Sequence, residues 1–90
     1  MKLVILQSSP AEGRYEQGIE VALNLAESGA EFAVLLAGDF DAACRGAPDD
    51  AVFKKKLKQL ELFDIRPVRA GAEGAKCRAL LEASCANLEF

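Results

Sequence analysis

The sequence predicts an α/β fold, a small flavodoxin-like three-layer α/β/α domain built on a four-stranded parallel sheet in the order 2-1-3-4. Three observations predict it. Apolar runs of strand length alternate along the chain with segments whose apolar residues recur at helical spacing. The two strongest runs, "KLVILQ" and "EFAVLLA", lack the polar alternation of a half-exposed strand, so each is expected to be covered on both faces. A helical segment joins them, which calls for parallel pairing through a right-handed crossover.

Taken in order, residues 2–7 form the first strand, stopped by the turn-forming "SSP". Over residues 13–28, Tyr15, Ile19, Ala22 and Ala26 recur at helical spacing, widened by Val21 and Leu25, and Gly29 supplies the stop signal. Residues 31–37 form the second strand, broken by Gly38-Asp39. The segment "DFDAACRGA" is short and interrupted, and is expected to hold no more than a turn of helix. Pro48 opens the next helix, where Asp49 and Asp50 complement the positive end of the helix dipole. Its seam is Phe53, Leu57 and Leu60, with the lysines outward. Residues 65–69 make the weakest strand, because Pro67 removes an amide donor and favours an edge or a terminus. A helix over residues 73–84 carries Cys77, Leu80, Leu81 and Ser84 on one face, and residues 87–90 close the sheet as its edge strand. All 90 residues fall in a single domain, 1–90, with no repeat, linker or low-complexity segment.

Composition narrows the function. The net charge of −3 argues against a nucleic-acid binder that works by neutralising phosphates. No apolar run reaches membrane-spanning length, and the one at the start is too short for a signal peptide, so a cytoplasmic protein without a membrane partner is expected. The chain has no histidine, which excludes histidine-based catalysis, and its three cysteines have no C-x-x-C spacing, so no metal site is expected. No cofactor is expected either, since the loop after the first strand does not match a flavin phosphate loop and neither a Walker A nor a G-x-G-x-x-G pattern occurs. Apolar residues make up 51% of so short a chain that some of them are expected to cover a partner, giving an oligomer.

The pattern "AVLLAGDFDAAC", then "PDDAVFKKKLKQLELFDIRPVRAGA", a helix and a final "ANLEF" resembles the DsrE/DsrF-like family, which includes sulfur-relay subunits of sulfur oxidation and tRNA thiolation. The nearest likeness is to the DsrF or TusC type of subunit. The resemblance implies a parallel α/β domain assembled into homo- or hetero-oligomers, trimers or hexamers, with sulfur-relay proteins as partners. It also implies a persulfide-bearing cysteine at the end of the third strand, just before a small-residue loop. The matching loop here is "AGA", residues 70–72, and the residue before it is Arg69. On this resemblance the chain is a non-catalytic subunit, unless its thiol chemistry has moved to another cysteine and made it a sulfurtransferase-like persulfide carrier.

Two candidate sites follow. Ligands of open α/β sheets bind beyond the carboxyl ends of strands at the switch point. In the expected order the loops "QSSPAEG" and "RAGAEG" meet there, so Ser8, Ser9, Gly13 and Arg69 are candidates to hold a small anion. The plainer reading is an ordinary turn and a solvated arginine. The second candidate is Cys44, whose neighbour Arg45 would favour the nucleophilic thiolate. Its plainer reading is a small apolar residue turned to the core. Cys77 fits the apolar seam of its helix, Cys85 sits at a helix-strand junction, and Asp39 and Asp41 read as turn and capping residues. The lysine run from Lys54 to Lys58 reads as a solvated face or a dock for an acidic partner. For the oligomer, Phe40 or Phe63 is expected at the subunit interface.

Overall fold

The computed structural model describes residues 1–90. Its elements are β1 (Lys2–Leu6), α1 (Arg14–Glu27), β2 (Phe32–Leu36), α2 (Gly38–Gly46), α3 (Val52–Leu57), β3 (Val68–Arg69), α4 (Gly74–Ala83) and β4 (Ala86–Glu89). Short 3-10 turns at Pro10–Glu12 and Lys58–Phe63 lead into α1 and extend α3.

All four strands are parallel, as the apolar runs and intervening helices require, but they lie in the order β3-β2-β1-β4 rather than 2-1-3-4. The third strand therefore sits at an edge beside β2. The physical reason lies in its own residues: Pro67 has no N–H to give a second neighbour, and only Val68 and Arg69 pair, with Leu35 and Leu36. The place on the other side of β1 goes to β4, which forms the opposite edge of the sheet as expected of the last strand, with Lys2 to Ile5 in register with Ala86 to Glu89.

This order distributes the helices. The crossovers from β1 to β2 and from β2 to β3 step the same way across the sheet, so right-handedness puts α1, α2 and α3 on one face. The third crossover steps back, which puts α4 on the other. Strand alternation separates the two cores. Val4, Leu6, Val34 and Leu36 point into the larger one with Tyr15, Ile19, Ala22, Phe40, Cys44 and Leu60. Leu3, Ile5 and Leu35 point into the smaller one, covered by Cys77 and Leu80 of α4. No helix is long and apolar enough to cross a membrane.

Three local expectations are corrected. The segment after β2 is a nine-residue helix rather than a single turn, because Phe40, Asp41 and Cys44 fall on one buried face. Its start depends on Gly38, whose φ of +54° is left-handed and where a Cβ would stand 3.1 Å from the Gln7 carbonyl oxygen. The helix expected to open at Pro48 instead begins at Val52 and continues past Leu57 as a 3-10 turn. Within it Lys54 does not face outward: its ammonium donates to the Ala47 carbonyl at 2.7 Å, and the side chain is only 19% exposed.

The interface expectation for Phe40 is also corrected. The ring is fully buried, 5.5 Å from Tyr15 and 5.8 Å from Phe53 between centroids, so it anchors the larger core and cannot reach a partner. Phe63 and Leu62 remain exposed, as does Val52.

Candidate functional site

The site is built where β2 and β3 end. Leu36 and Arg69 are register partners in a parallel pair, so both side chains project to the same face, the one covered by α2 and α3. There α2 presents Asp41 and Cys44, three residues apart and hence on one side of the helix. The Asp41 side chain is 4% exposed. Its Oδ1 accepts from Arg69 Nε at 3.0 Å, and its Oδ2 accepts from the Gly71 amide at 3.0 Å. One buried carboxylate thus fixes both the arginine and the loop that follows it.

Gly71 has to be glycine for this contact. A Cβ there would come within 2.6 Å of Asp41 Oδ2, closer than nonbonded atoms approach. The main chain of Arg69 is held as well, its amide donating to Glu73 Oε2 at 3.1 Å. That amide, followed by the Lys76 ammonium, holds the Glu73 carboxyl below its usual range. One donor remains over: Nη2 of Arg69 is buried and has no acceptor in the protein.

Beside the pair lies a cleft of about 270 Å³. Its floor is apolar, made by Leu36, Cys44, Leu57 and Pro67. Lys54, Lys58 and Arg69 bring positive charge to it, and Asp49 and Glu61 bring negative charge. Cys44 is buried, 7% exposed as a residue. Burial pushes its pKa above the ordinary value of 9.0, with the Lys54 and Arg69 cations opposing and Asp41 adding to the rise. The electropositive neighbourhood expected of Cys44 is present, but it comes from Lys54 and Arg69, and the residue itself is turned to the core, as its plainer reading has it. Arg45, next in sequence, is exposed.

The four anion-site candidates do not meet. Arg69 is separated from β1 by β2, two strand spacings or about 10 Å, and its guanidinium is directed at Asp41. Ser9 caps its own turn by accepting from the Ala11 amide, and the Gly13 amide donates to the Pro10 carbonyl. With the observed strand order the switch point lies between β1 and β4, where the Gln7 and Ser8 amides both donate to the Phe90 carbonyl. Cys77 is half-buried under α4, and Cys85 is exposed with its thiol donating to the Met1 carbonyl at 3.0 Å. No group of three or more metal-ligating side chains comes together.

Neither a family model, nor a curated protein, nor a solved structure matches the chain. Asp41, expected to be a turn or capping residue, and Lys58, expected on a solvated or docking lysine face, are the two that the structure brings to the site instead. A carboxylate one residue from Phe40 and three from Cys44, on the face that has to be buried, was the available signal for the first.

Proposed function

We propose that this chain is a DsrE/DsrF-like subunit of a sulfur-relay or related thiol system, and that it carries no sulfur at the end of its third strand. One observation supports this most: Arg69, at the position where the resemblance places a persulfide-bearing cysteine, is committed to structure through its side chain and its amide. An arginine locked to a buried carboxylate fixes the following loop, which is the role of a scaffold. Its partners in this reading are thiol-bearing subunits of the same relay, with the exposed Leu62 and Phe63 available for the contact.

A second reading is favoured by one observation. The Cys44 thiol lines the cleft within the field of Lys54 and Arg69, and both cations favour a thiolate. In that reading Cys44 accepts sulfur from a persulfide donor and is the catalytic residue. Its burial stands against it.

Incubation with a small persulfide donor, followed by intact-mass and peptide mapping, separates the two. The first reading expects no sulfur on Cys44 beyond the level found on the exposed Cys85. Stoichiometric, reversible persulfide on Cys44 overturns it in favour of the second. Purification from the native host is the complementary test. A thiol-bearing subunit should accompany the chain, and recovery of the chain alone would count against a relay assembly.

A further inference from the structure

We propose that the outer edge of β4 is a self-association surface, on which two copies of this chain pair their β4 strands antiparallel about a twofold axis at Leu88 and join their sheets into one. This goes beyond the relay reading and does not rest on it. The relay contact at Leu62 and Phe63 lies in the segment leading into β3, at the far edge of the sheet.

The two edges of the sheet differ. β3 pairs through only two residues and is preceded by Pro67, so little main chain is left open there. β4 spans four residues, Ala86–Glu89, in unbroken register with β1, with no proline and with no strand outside it. Phe90 gives both its main-chain groups to β1: its amide donates to the Ile5 carbonyl and its carbonyl accepts from the Gln7 amide, each at 2.8 Å. Main-chain groups of a strand turn to alternate sides residue by residue. Leu88 therefore also faces β1, while Asn87 and Glu89 face outward. On that side the Glu89 carbonyl meets only Arg14 Nη2, at 3.3 Å, and keeps a second lone pair.

The side chains select a second copy as the occupant. Leu88 and Phe90 pack against the larger core, so Asn87 and Glu89 stand on the opposite face of the sheet. About a twofold at Leu88, Asn87 of each copy lies directly across from Glu89 of the other, and the outward amides and carbonyls of both residues bond in reciprocal pairs. The Asn87 side-chain oxygen already accepts from the Ser84 hydroxyl at 2.7 Å, which leaves its nitrogen to donate. The Glu89 carboxylate takes part in no ion pair within the chain. Donor thus meets acceptor at both symmetric positions. The neighbouring registers set Glu89 against Glu89, where like charges repel, or against Cys85, so the edge is self-complementary only in this alignment. A pair of four-residue strands is a small contact, which makes the association weak and concentration-dependent.

The test is sedimentation equilibrium of the full chain from about 10 μM to about 1 mM, with an NMR dilution series over the same range. A monomer–dimer equilibrium is expected. The Asn87 and Glu89 amide protons should move downfield saturably as they gain carbonyl acceptors, and the Leu88 amide, bonded to β1 in both states, should move much less. Asn87→Glu sets carboxylates opposite each other twice and should weaken association about tenfold, whereas Asn87→Lys should tighten it. Asn87 is exposed, so both variants should fold, and unchanged amide shifts in β2 verify it. The proposal is overturned if the chain stays monomeric throughout, if the two variants associate equally, or if the concentration-dependent shifts lie away from β4. Association lost in Phe63→Ala but kept in Asn87→Glu assigns the dimer to the relay patch and overturns it as well.

Discussion

Arg69→Met should destabilise the fold more than Asp41→Ala, although the two residues share one interaction. The difference follows from exposure. Removing the guanidinium leaves the Asp41 carboxylate, 4% exposed, with only the Gly71 amide for company. Orphaning a buried charge in this way costs about 3–5 kcal/mol. Removing the carboxylate leaves Arg69, whose side chain is 36% exposed and can turn part of its charge to water. What is then lost is a charge-assisted hydrogen bond, discounted for that exposure, and the acceptor of the Gly71 amide, together about 2 kcal/mol. Against a total stability of about 0.05–0.15 kcal/mol per residue, either loss is large. In the double variant no charge is stranded, so it should be no less stable than Arg69→Met alone, giving a coupling energy of about 2 kcal/mol. Urea unfolding of the four proteins, followed by circular dichroism at neutral pH with the thiols reduced, measures all terms. The reasoning is refuted if Asp41→Ala costs more than Arg69→Met, or if the two effects add to within about 0.5 kcal/mol.

The other expectations concern the same region and the surface. Gly71→Ala drives a Cβ to within 2.6 Å of Asp41 Oδ2 and should lower stability by about 1–3 kcal/mol in the same urea assay. Because burial raises the Cys44 thiol above 9.0, the unfolded chain ionises first on the alkaline side. The stability it contributes is complete below that value and is lost as pH rises through the folded-state pKa. Urea midpoints should therefore fall over this range in the parent and fall less steeply in Cys44→Ala. Phe40→Ala should cost about 3–5 kcal/mol as a core deletion. Phe63→Ala, at a ring 43% exposed, should leave stability nearly unchanged and reduce the sedimentation coefficient if the chain assembles through that patch.

What could be seen in the sequence depended on how local the cause was. The strands β1 and β2 announce themselves because a strand covered on both faces has to be apolar at every position, and "LVIL" and "AVLL" are. The helix α2 was obscured by its bracketing glycines and its alanines, although Phe40 and Cys44, four apart, already marked a face. Strand order is a global property, and the one local clue, the missing amide of Pro67, pointed to the edge that β3 occupies. The site was harder for the same reason. Asp41 and Arg69 are 28 residues apart, and only the placement of β3 beside β2 brings them together. Cys44 illustrates the point most directly, since the cations that act on its thiol are distant in sequence while the adjacent Arg45 is not among them.

The pairing of β1 with β4 has a consequence for how the chain reaches this state. The most apolar strand of the sheet, with Leu3, Val4 and Leu6 at 0% exposure, is internal only because residues 86–89 arrive beside it. That contact closes a loop of more than 80 residues, the longest the chain makes between strands, and loop-closure entropy puts it late in folding. Until it forms, "LVIL" is an open strand edge with no charge and no proline to blunt it, the pattern that recruits other chains. Refolding yield should accordingly fall with protein concentration, and a charge introduced at the rim of β4 that slows its docking should worsen aggregation out of proportion to its effect on equilibrium stability.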